Sequence, residues 1–331
     1  MGSRMKCANC HNHPLDHWTQ DDFHGLTAMF AKLTRSKVIR FNPLGKNIHP
    51  NTGEEALMKI PGGDYLPPEI KDGRATFSDW LIDPANPYFA KSIVNRLWKS
   101  LMGRGLVEPV DDFRSTNPAT HPELLERLAE DFIDHGYDIR HTLKVIAMSS
   151  AYTRSSNPLD GNQTDSQFYS YAIAKPLEPE VLADAITDVL GVPVGYGAEP
   201  LGTRAVELQD GAISSEALDI LGRCDRTNSC EGAPPPVGPL AQKLHLLNGA
   251  LLNARIGSEE GRLLKLIQSK RSPWEIVVEF YRAALNRPPN QNEMDVLHQW
   301  IDPSKTSAEQ QKVLEDVVWS ILTCREFVTN H

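Results

Sequence analysis

The spacing of the apolar residues constrains this chain most, because from residue 76 onward it repeats with the period of an α-helix. Residues 87–101 show the pattern most clearly. The apolar side chains that would share one helix face there are Phe89, Ile93, Val94, Leu97, Trp98 and Leu101. Proline near the first turn and Gly103 just past the end are common start and stop signals of a helix. The pattern therefore predicts a mainly α fold.

The same period recurs along most of the chain. Further helices are predicted over 19–33, 121–133, 139–152, 177–191, 238–254, 258–269, 272–285, 290–301 and 306–328. Short apolar pieces in 36–66 predict a few small strands, and 192–236 reads as an irregular Gly/Pro-rich insert. The expected domains are 1–70 (metal-binding loop, helix and small strands) and 71–331 (multi-helix domain), with room for a subdivision near 154–175.

Composition limits the classes of partner. The chain has 43 acidic and 34 basic residues among 331, for a net charge of -9. This balance argues against nucleic acid, because phosphate binding needs a basic face. No apolar run reaches the length that crosses a bilayer. The expected partner is a small-molecule or polymer substrate, and no oligomeric state is predicted.

Metal-capable side chains concentrate at the start of the chain. They are Cys7, Cys10, His11, His13, Asp16, His17 and His24. The spacing Cys-x-x-Cys-His is that of covalent haem c attachment, with His11 as the proximal ligand. The same residues also form a nitrogen, sulfur and oxygen ligand set suited to zinc or another divalent transition metal.

The crowding of imidazoles favours zinc over haem, because haem attachment requires only His11. We therefore expect zinc held by Cys7, Cys10, His11, His13 and His17, more candidates than one tetrahedral site needs. A catalytic ion would make this a hydrolase of ester, phosphoester or glycosidic bonds, with Asp16 beside the metal. A haem c electron-transfer protein and a non-enzymatic module with a structural metal are the alternatives.

Two further groups of residues are candidates for chemistry. Asp112 and His121 lie in a polar loop between predicted helices, where they could act as general base or acid; the alternative is helix capping and loop hydrogen bonding. Arg223 and Arg226 could bind an anionic substrate group. Cys224 and Cys230, which flank Arg226, could form a local disulfide, complete a metal site or shape a pocket.

Several motifs together resemble one family. They are CANCHNHPLDHWTQDDF at 7–23, NPYFA at 86–90, VNRLW at 94–98, GRGLV at 103–107, DDF at 111–113, NP at 117–118, HPELL at 121–125, SAYTRSS at 150–156, LHLLNG at 244–249 and ALNRPP at 284–289. The first resembles the end of a planctomycete cytochrome-associated domain, and the others resemble the helical domain that follows it.

The resemblance implies an architecture and a compartment more than a chemistry. Members are usually long exported proteins, often with a cytochrome c domain upstream, and their biochemical role is largely undefined. It therefore implies a periplasmic or exported protein, in which a Cys224–Cys230 disulfide is the leading interpretation of that pair. The chain itself shows no signal peptide, and its metal motif almost at the first residue favours a piece of a longer protein over a short native one.

Overall fold

The computed structural model describes residues 1–35, 38–211, 213–223, 250–301 and 306–330. Within these ranges the chain forms thirteen α-helices and two small two-stranded sheets, which confirms the mainly α prediction. The residues divide into two compact units, 1–173 and 174–331. The expected boundary at residues 70/71 stays a prediction.

The described residues of the first unit form five α-helices, a short 3-10 helix and one antiparallel pair of strands, called the hairpin below. The helices are α1 (Gln20–Phe30), α2 (Arg74–Ile82), α3 (Phe89–Met102), α4 (Pro122–Asp134) and α5 (Ile139–Ala147), and the 3-10 helix is Lys6–Asn9. Strands β1 (Leu33–Arg35) and β2 (Ile39–Phe41) pair antiparallel with Leu33 opposite Phe41. Helix α5 ends five residues earlier than the predicted limit at residue 152.

The core of this unit lies where α3 packs against α4 and α5. Val94 and Trp98 of α3 are 0% and 4% exposed, and they meet Phe132 of α4 and Ile146 of α5, which are also buried. Helix α3 ends at Gly103, whose φ of 79° is a left-handed conformation that favours glycine. The predicted apolar face is therefore the face that packs.

The second unit is a separate helical bundle. Its helices are α6 (Pro179–Leu190), α7 (Glu216–Ile220), α8 (Ala250–Ile256), α9 (Arg262–Gln268), α10 (Pro273–Leu285), α11 (Gln291–Trp300), α12 (Ser307–Thr323) and α13 (Arg325–Val328), with a 3-10 turn at Ala205–Glu207. Strand β3 (Lys175–Pro176) pairs antiparallel with β4 (Thr329–Asn330). Phe280 and Leu322 are fully buried at the centre of the core. Most of the helix predicted over 238–254 lies outside the described residues.

None of the helices in the described ranges combines the length and the apolar composition needed to cross a bilayer.

Candidate functional site

The two N-terminal cysteines lie at the short 3-10 helix. Cys7 is within it and Cys10 caps its end, where the Cys10 N–H is 3.4 Å from the Cys7 carbonyl oxygen. A 3-10 helix has three residues per turn, so positions 7 and 10 fall on the same side of the backbone. Both thiols are free and exposed. They are therefore open to a metal ion, to haem or to each other.

The two histidines that follow both use Nδ1 in a hydrogen bond, but in opposite roles. His11 Nδ1 lies 2.7 Å from the Asn12 carbonyl oxygen, which can only accept, so Nδ1 donates and the Nε2 lone pair is left for a ligand. His13 Nδ1 instead accepts a hydrogen bond from the Leu15 N–H at 3.3 Å. His11 thus presents the ring atom that a metal-binding histidine uses when its other nitrogen is fixed by a carbonyl.

Asp16 and His17 form a carboxylate–imidazole pair. The Asp16 side chain is only 3% exposed, and its Oδ1 lies 2.8 Å from His17 Nδ1. The Tyr88 hydroxyl lies 3.1 Å from His17 Nε2 on the other side of the ring. Burial raises the pKa of Tyr88, and the nearby charges of Asp16 and Asp22 add to the effect. Tyr88 therefore stays protonated near neutral pH, and its hydroxyl donates to Nε2 in the tautomer whose Nδ1 proton is donated to Asp16.

Helix α1 fixes the loop that carries these residues. The Gln20 N–H donates to the Asn12 side chain at 3.0 Å, and the Gln20 amide donates to the Asn9 carbonyl at 3.1 Å. His24 also donates to the Asn9 carbonyl, through Nε2 at 2.9 Å, while its Nδ1 lies 3.2 Å from the Asn47 amide. Because both ring nitrogens of the buried His24 are engaged, we assign it a structural role rather than a ligand role.

Asp22 anchors the start of α1. It forms a capping box with Thr19 and also accepts from Lys59 Nζ at 2.5 Å and from the Gly62 N–H at 2.9 Å. Burial works to raise the pKa of Asp22, but the hydrogen bonds from Lys59, Thr19 and Gly62 outweigh it, so the pKa lies below its ordinary value. The Asp22 carboxylate is thus charged, and its hydrogen bonds to Thr19, Lys59 and Gly62 hold the loop in place.

The N-terminal ligand candidates do not converge. Throughout residues 1–35, no three donor atoms of histidine, cysteine, aspartate or glutamate lie within 4.8 Å of one another. The structure brings together Asp16 and His17, but no three of Cys7, Cys10, His11, His13, Asp16 and His17 have their donor atoms grouped. A metal ion bound here would have to draw the loop inward.

The other predicted site residues of the first unit have different partners. Asp112 is buried and pairs with Arg114, whose guanidinium donates to Oδ2 at 2.7 Å. His121 is the residue before α4, with Nδ1 3.2 Å from the Thr120 hydroxyl and its ring edge-on to Phe168. Both are hydrogen bonds within the loop, and the His121 side chain makes no capping hydrogen bond to α4.

Among the second unit's candidates, the described residues include only Arg223. It is 8% exposed and donates to Asp219 Oδ1 at 2.7 Å. Arg226, Cys224 and Cys230 lie outside the described residues.

A different group of donors does converge, and sequence reasoning missed it. Asp131 and His135 stand one turn apart at the end of α4, and His141 lies in the first turn of α5. Their ligand atoms all lie within 4.8 Å of one another, the only group of three in the described ranges that does so. The i, i+4 spacing of Asp131 and His135 was the available signal.

The first unit also contains a cavity of about 340 Å³ beneath α1 and the hairpin. Its lining includes Met29, Leu33, Met58, Leu66 and Arg74, and none of the predicted site residues is part of it. The cavity is therefore separate from the N-terminal loop that carries Cys7, Cys10, His11 and His13.

Two family models match the chain. Residues 73–301 match PSD1, a protein of unknown function (DUF1553), and residues 1–35 match PSCyt2, a protein of unknown function (DUF1549). Both are cytochrome-associated families, as the sequence motifs indicated. No curated protein and no solved structure matches the chain. Because the first match spans more than half of the chain, this protein belongs to the PSD1 family.

Proposed function

We propose that this protein binds zinc, or a divalent transition metal of similar ligand preference, through its N-terminal loop and that it acts as a metal-dependent hydrolase. The observation that carries the proposal is the Asp16–His17 pair, in which a nearly buried carboxylate lies 2.8 Å from Nδ1 of an exposed imidazole. Metal-binding histidines commonly donate their second ring nitrogen to a carboxylate, which fixes the tautomer and raises the basicity of the ligating nitrogen.

The ligand set would come from Cys7, Cys10, His11, His13 and His17. Two thiols and three imidazoles suit zinc chemically, and both thiols are free. His11 Nε2 is available as a lone pair, whereas His17 Nε2 would have to exchange the Tyr88 hydroxyl for the metal. Asp16 acts as the positioning residue of His17.

A bound divalent cation would polarise a scissile ester, phosphoester or glycosidic group and acidify a coordinated water. We assign Asp112 and His121 no part in this chemistry, because Arg114 and Thr120 are their partners. The proposed hydrolysis of ester, phosphoester or glycosidic bonds therefore depends only on the bound metal and on Asp16 and His17.

Metal analysis of the purified chain tests the proposal. We expect zinc to be retained after dialysis, and the double variant Cys7→Ser/Cys10→Ser to hold one zinc fewer per chain than the unmodified protein. Asp16→Asn, which keeps an acceptor but removes the charge, should weaken zinc binding by about tenfold or more. Cys324→Ser, which removes a half-buried thiol of the second unit, is the matched control and should leave the metal content unchanged.

Hydrolysis is tested with the same variants on ester, phosphoester and glycoside substrates. Turnover that disappears with a chelator, returns with zinc and falls in Asp16→Asn would support the hydrolase. Zinc binding without turnover would instead support the non-enzymatic module with a structural metal. Unchanged zinc content in Cys7→Ser/Cys10→Ser would refute the loop as the site.

The second candidate, covalent haem c, is favoured by His11. Its Nδ1 donates to a backbone carbonyl while Nε2 is unoccupied, beside two exposed thiols spaced as haem attachment requires. Producing the chain together with a haem-attachment system in an oxidising compartment tests it. A Soret absorption that persists after denaturation would establish the haem protein. Its absence would exclude haem c and leave zinc as the proposed ligand of the loop.

A further inference from the structure

Asp131, His135 and His141 are brought together by the turn between α4 and α5. Gly136 and Tyr137 both adopt positive φ, 65° and 63°, which reverses the chain within four residues. Tyr137 fixes the turn: its ring packs against Phe132 at 5.3 Å between centroids, and its hydroxyl donates to the Ile82 carbonyl at 2.6 Å. The three side chains are therefore held by packed elements rather than by a free loop.

The spacing of the donor atoms fits a small cation. Asp131 Oδ2 lies 2.9 Å from His141 Nε2, and Asp131 Oδ1 lies 3.3 Å from His135 Nδ1. Tetrahedral zinc with ligands at about 2.0–2.1 Å sets neighbouring ligand atoms roughly 3.3 Å apart. His135 Nδ1 also lies 2.8 Å from the Asp131 carbonyl oxygen, so an ion bound through Nδ1 would replace that hydrogen bond, as it would replace the one between His141 Nε2 and Asp131 Oδ2.

The electrostatics also favour a cation. The two imidazole rings stack with centroids 3.7 Å apart and planes 15° apart, and both rings lie beside the Asp131 carboxylate. His135 caps the C-terminal end of α4, where the unpaired carbonyl groups carry partial negative charge. The side chains of Asp131, His135 and His141 are 34%, 49% and 28% exposed, so an ion can reach them from solvent.

We propose that Asp131, His135 and His141 bind a divalent transition-metal ion at the α4–α5 turn. Two imidazoles and one carboxylate suit zinc, nickel or copper(II) better than calcium or magnesium, which prefer oxygen ligands. Three protein ligands leave a tetrahedral ion one position for water or a small anion. This site shares no residue with the N-terminal loop and does not depend on it.

Zinc titration of metal-stripped full-length protein tests the site, with stoichiometry and affinity measured by calorimetry. We expect the double variant His135→Gln/His141→Gln to bind one zinc fewer per chain than the unmodified protein. Asp131→Asn keeps the hydrogen bond to His141 but removes the charge, and it should weaken zinc binding at this site by at least about tenfold. Glu130→Gln removes a neighbouring exposed carboxylate of α4 and serves as the matched control, with no expected change.

The two proposed metal sites can be told apart by combining variants. In a Cys7→Ser/Cys10→Ser background, zinc binding that remains and then disappears with His135→Gln/His141→Gln would assign it to α4–α5. Cobalt(II) gives a second readout, because thiolate-to-cobalt absorption belongs to the loop alone. Equal zinc stoichiometry and affinity in the unmodified protein and in folded His135→Gln/His141→Gln, checked by circular dichroism, would overturn the proposal. If that variant does not fold, Asp131→Asn decides by the same criterion.

Discussion

The N-terminal loop and the α4–α5 turn hold metal donors in opposite ways. The loop carries Cys7, Cys10, His11 and His13 within seven residues, yet no three of its donor atoms meet. The α4–α5 turn spreads Asp131, His135 and His141 over eleven residues, and their donor atoms lie within 4.8 Å of one another. Metal-donor residues that are close together along the chain therefore need not bring their donor atoms together in the folded structure.

The difference follows from what holds the backbone. A helix places residues four apart on one face, and the turn folds α5 back so that His141 faces α4. The loop consists mainly of turns and bends, and its side chains hydrogen-bond to near neighbours, as His11 does to Asn12. A preformed site costs less ordering on binding than one that must first be gathered.

The largest expected effect concerns the packing beneath the α4–α5 site. Phe132→Ala removes a ring that is 2% exposed, and it should lower the free energy of unfolding by about 3–5 kcal/mol. Zinc affinity at α4–α5 should fall with it, because the helix spacing sets the donor distances. Urea unfolding and zinc titration measure the two effects. Val145→Ala, at an exposed position of α5, should cost under about 1 kcal/mol, and an equal loss there would contradict the packing argument.

Zinc itself should stabilise the protein by a smaller amount. An ion at a hundred times its Kd adds about 2.7 kcal/mol for each site that binds only the folded state. We expect chelation to lower the Tm of Cys7→Ser/Cys10→Ser, since α4–α5 still binds, and to leave a variant that also carries His135→Gln/His141→Gln unaffected. If the Tm of Cys7→Ser/Cys10→Ser did not depend on zinc, all zinc binding would belong to the loop. Zinc binding at the α4–α5 turn would then be excluded.

The attachment of the loop depends on Asp22. Asp22→Asn removes a buried charge that accepts hydrogen bonds from Thr19, Lys59 and Gly62, and it should cost about 2 kcal/mol of stability. The loop residues should show faster amide hydrogen exchange, while those of α4 and α5 change less. Asp79→Asn, at an exposed position of α2, is the control and should stay within about 0.5 kcal/mol.

Lowering the pH should remove part of the stability that the Asp22 carboxylate contributes. The pKa of Asp22 is lowered in the folded chain, so its contribution is fully present above the ordinary aspartate pKa and disappears as the pH falls through the lower folded value. The stability difference between the unmodified protein and Asp22→Asn should therefore narrow below about pH 4. Chemical unfolding at stepwise lower pH measures it, and a constant difference would exclude Asp22 as the titrating anchor.

The smallest effect is expected at the thiols. Cys7→Ser changes an exposed side chain, so metal-free stability should change by less than about 0.5 kcal/mol. Metal content should nevertheless fall. A large loss of stability without metal would indicate that the thiol packs in the fold, and thermal melts in chelator distinguish the two cases.

Much of the fold could be predicted from local pattern. The predicted segment over 87–101 became α3, and the helix predicted from residue 19 became α1, which Thr19 caps in a capping box with Asp22. The site could be predicted less well, because ligand prediction from sequence counts donors close together in the chain. The i, i+4 spacing of Asp131 and His135 indicates only a shared helix face, and His141, six residues beyond His135 across a turn, gives no such signal.

The sequence by itself determined the helices, their apolar faces and the family, because these depend on side-chain period and on motifs read in chain order. The tertiary structure decided which side chains meet. It buried the Asp16 carboxylate against His17 without a third loop donor beside them, and it brought His141 back to Asp131. The physical reason is that donor convergence depends on where packed helices turn, and the packing of residues distant in the chain fixes that turn.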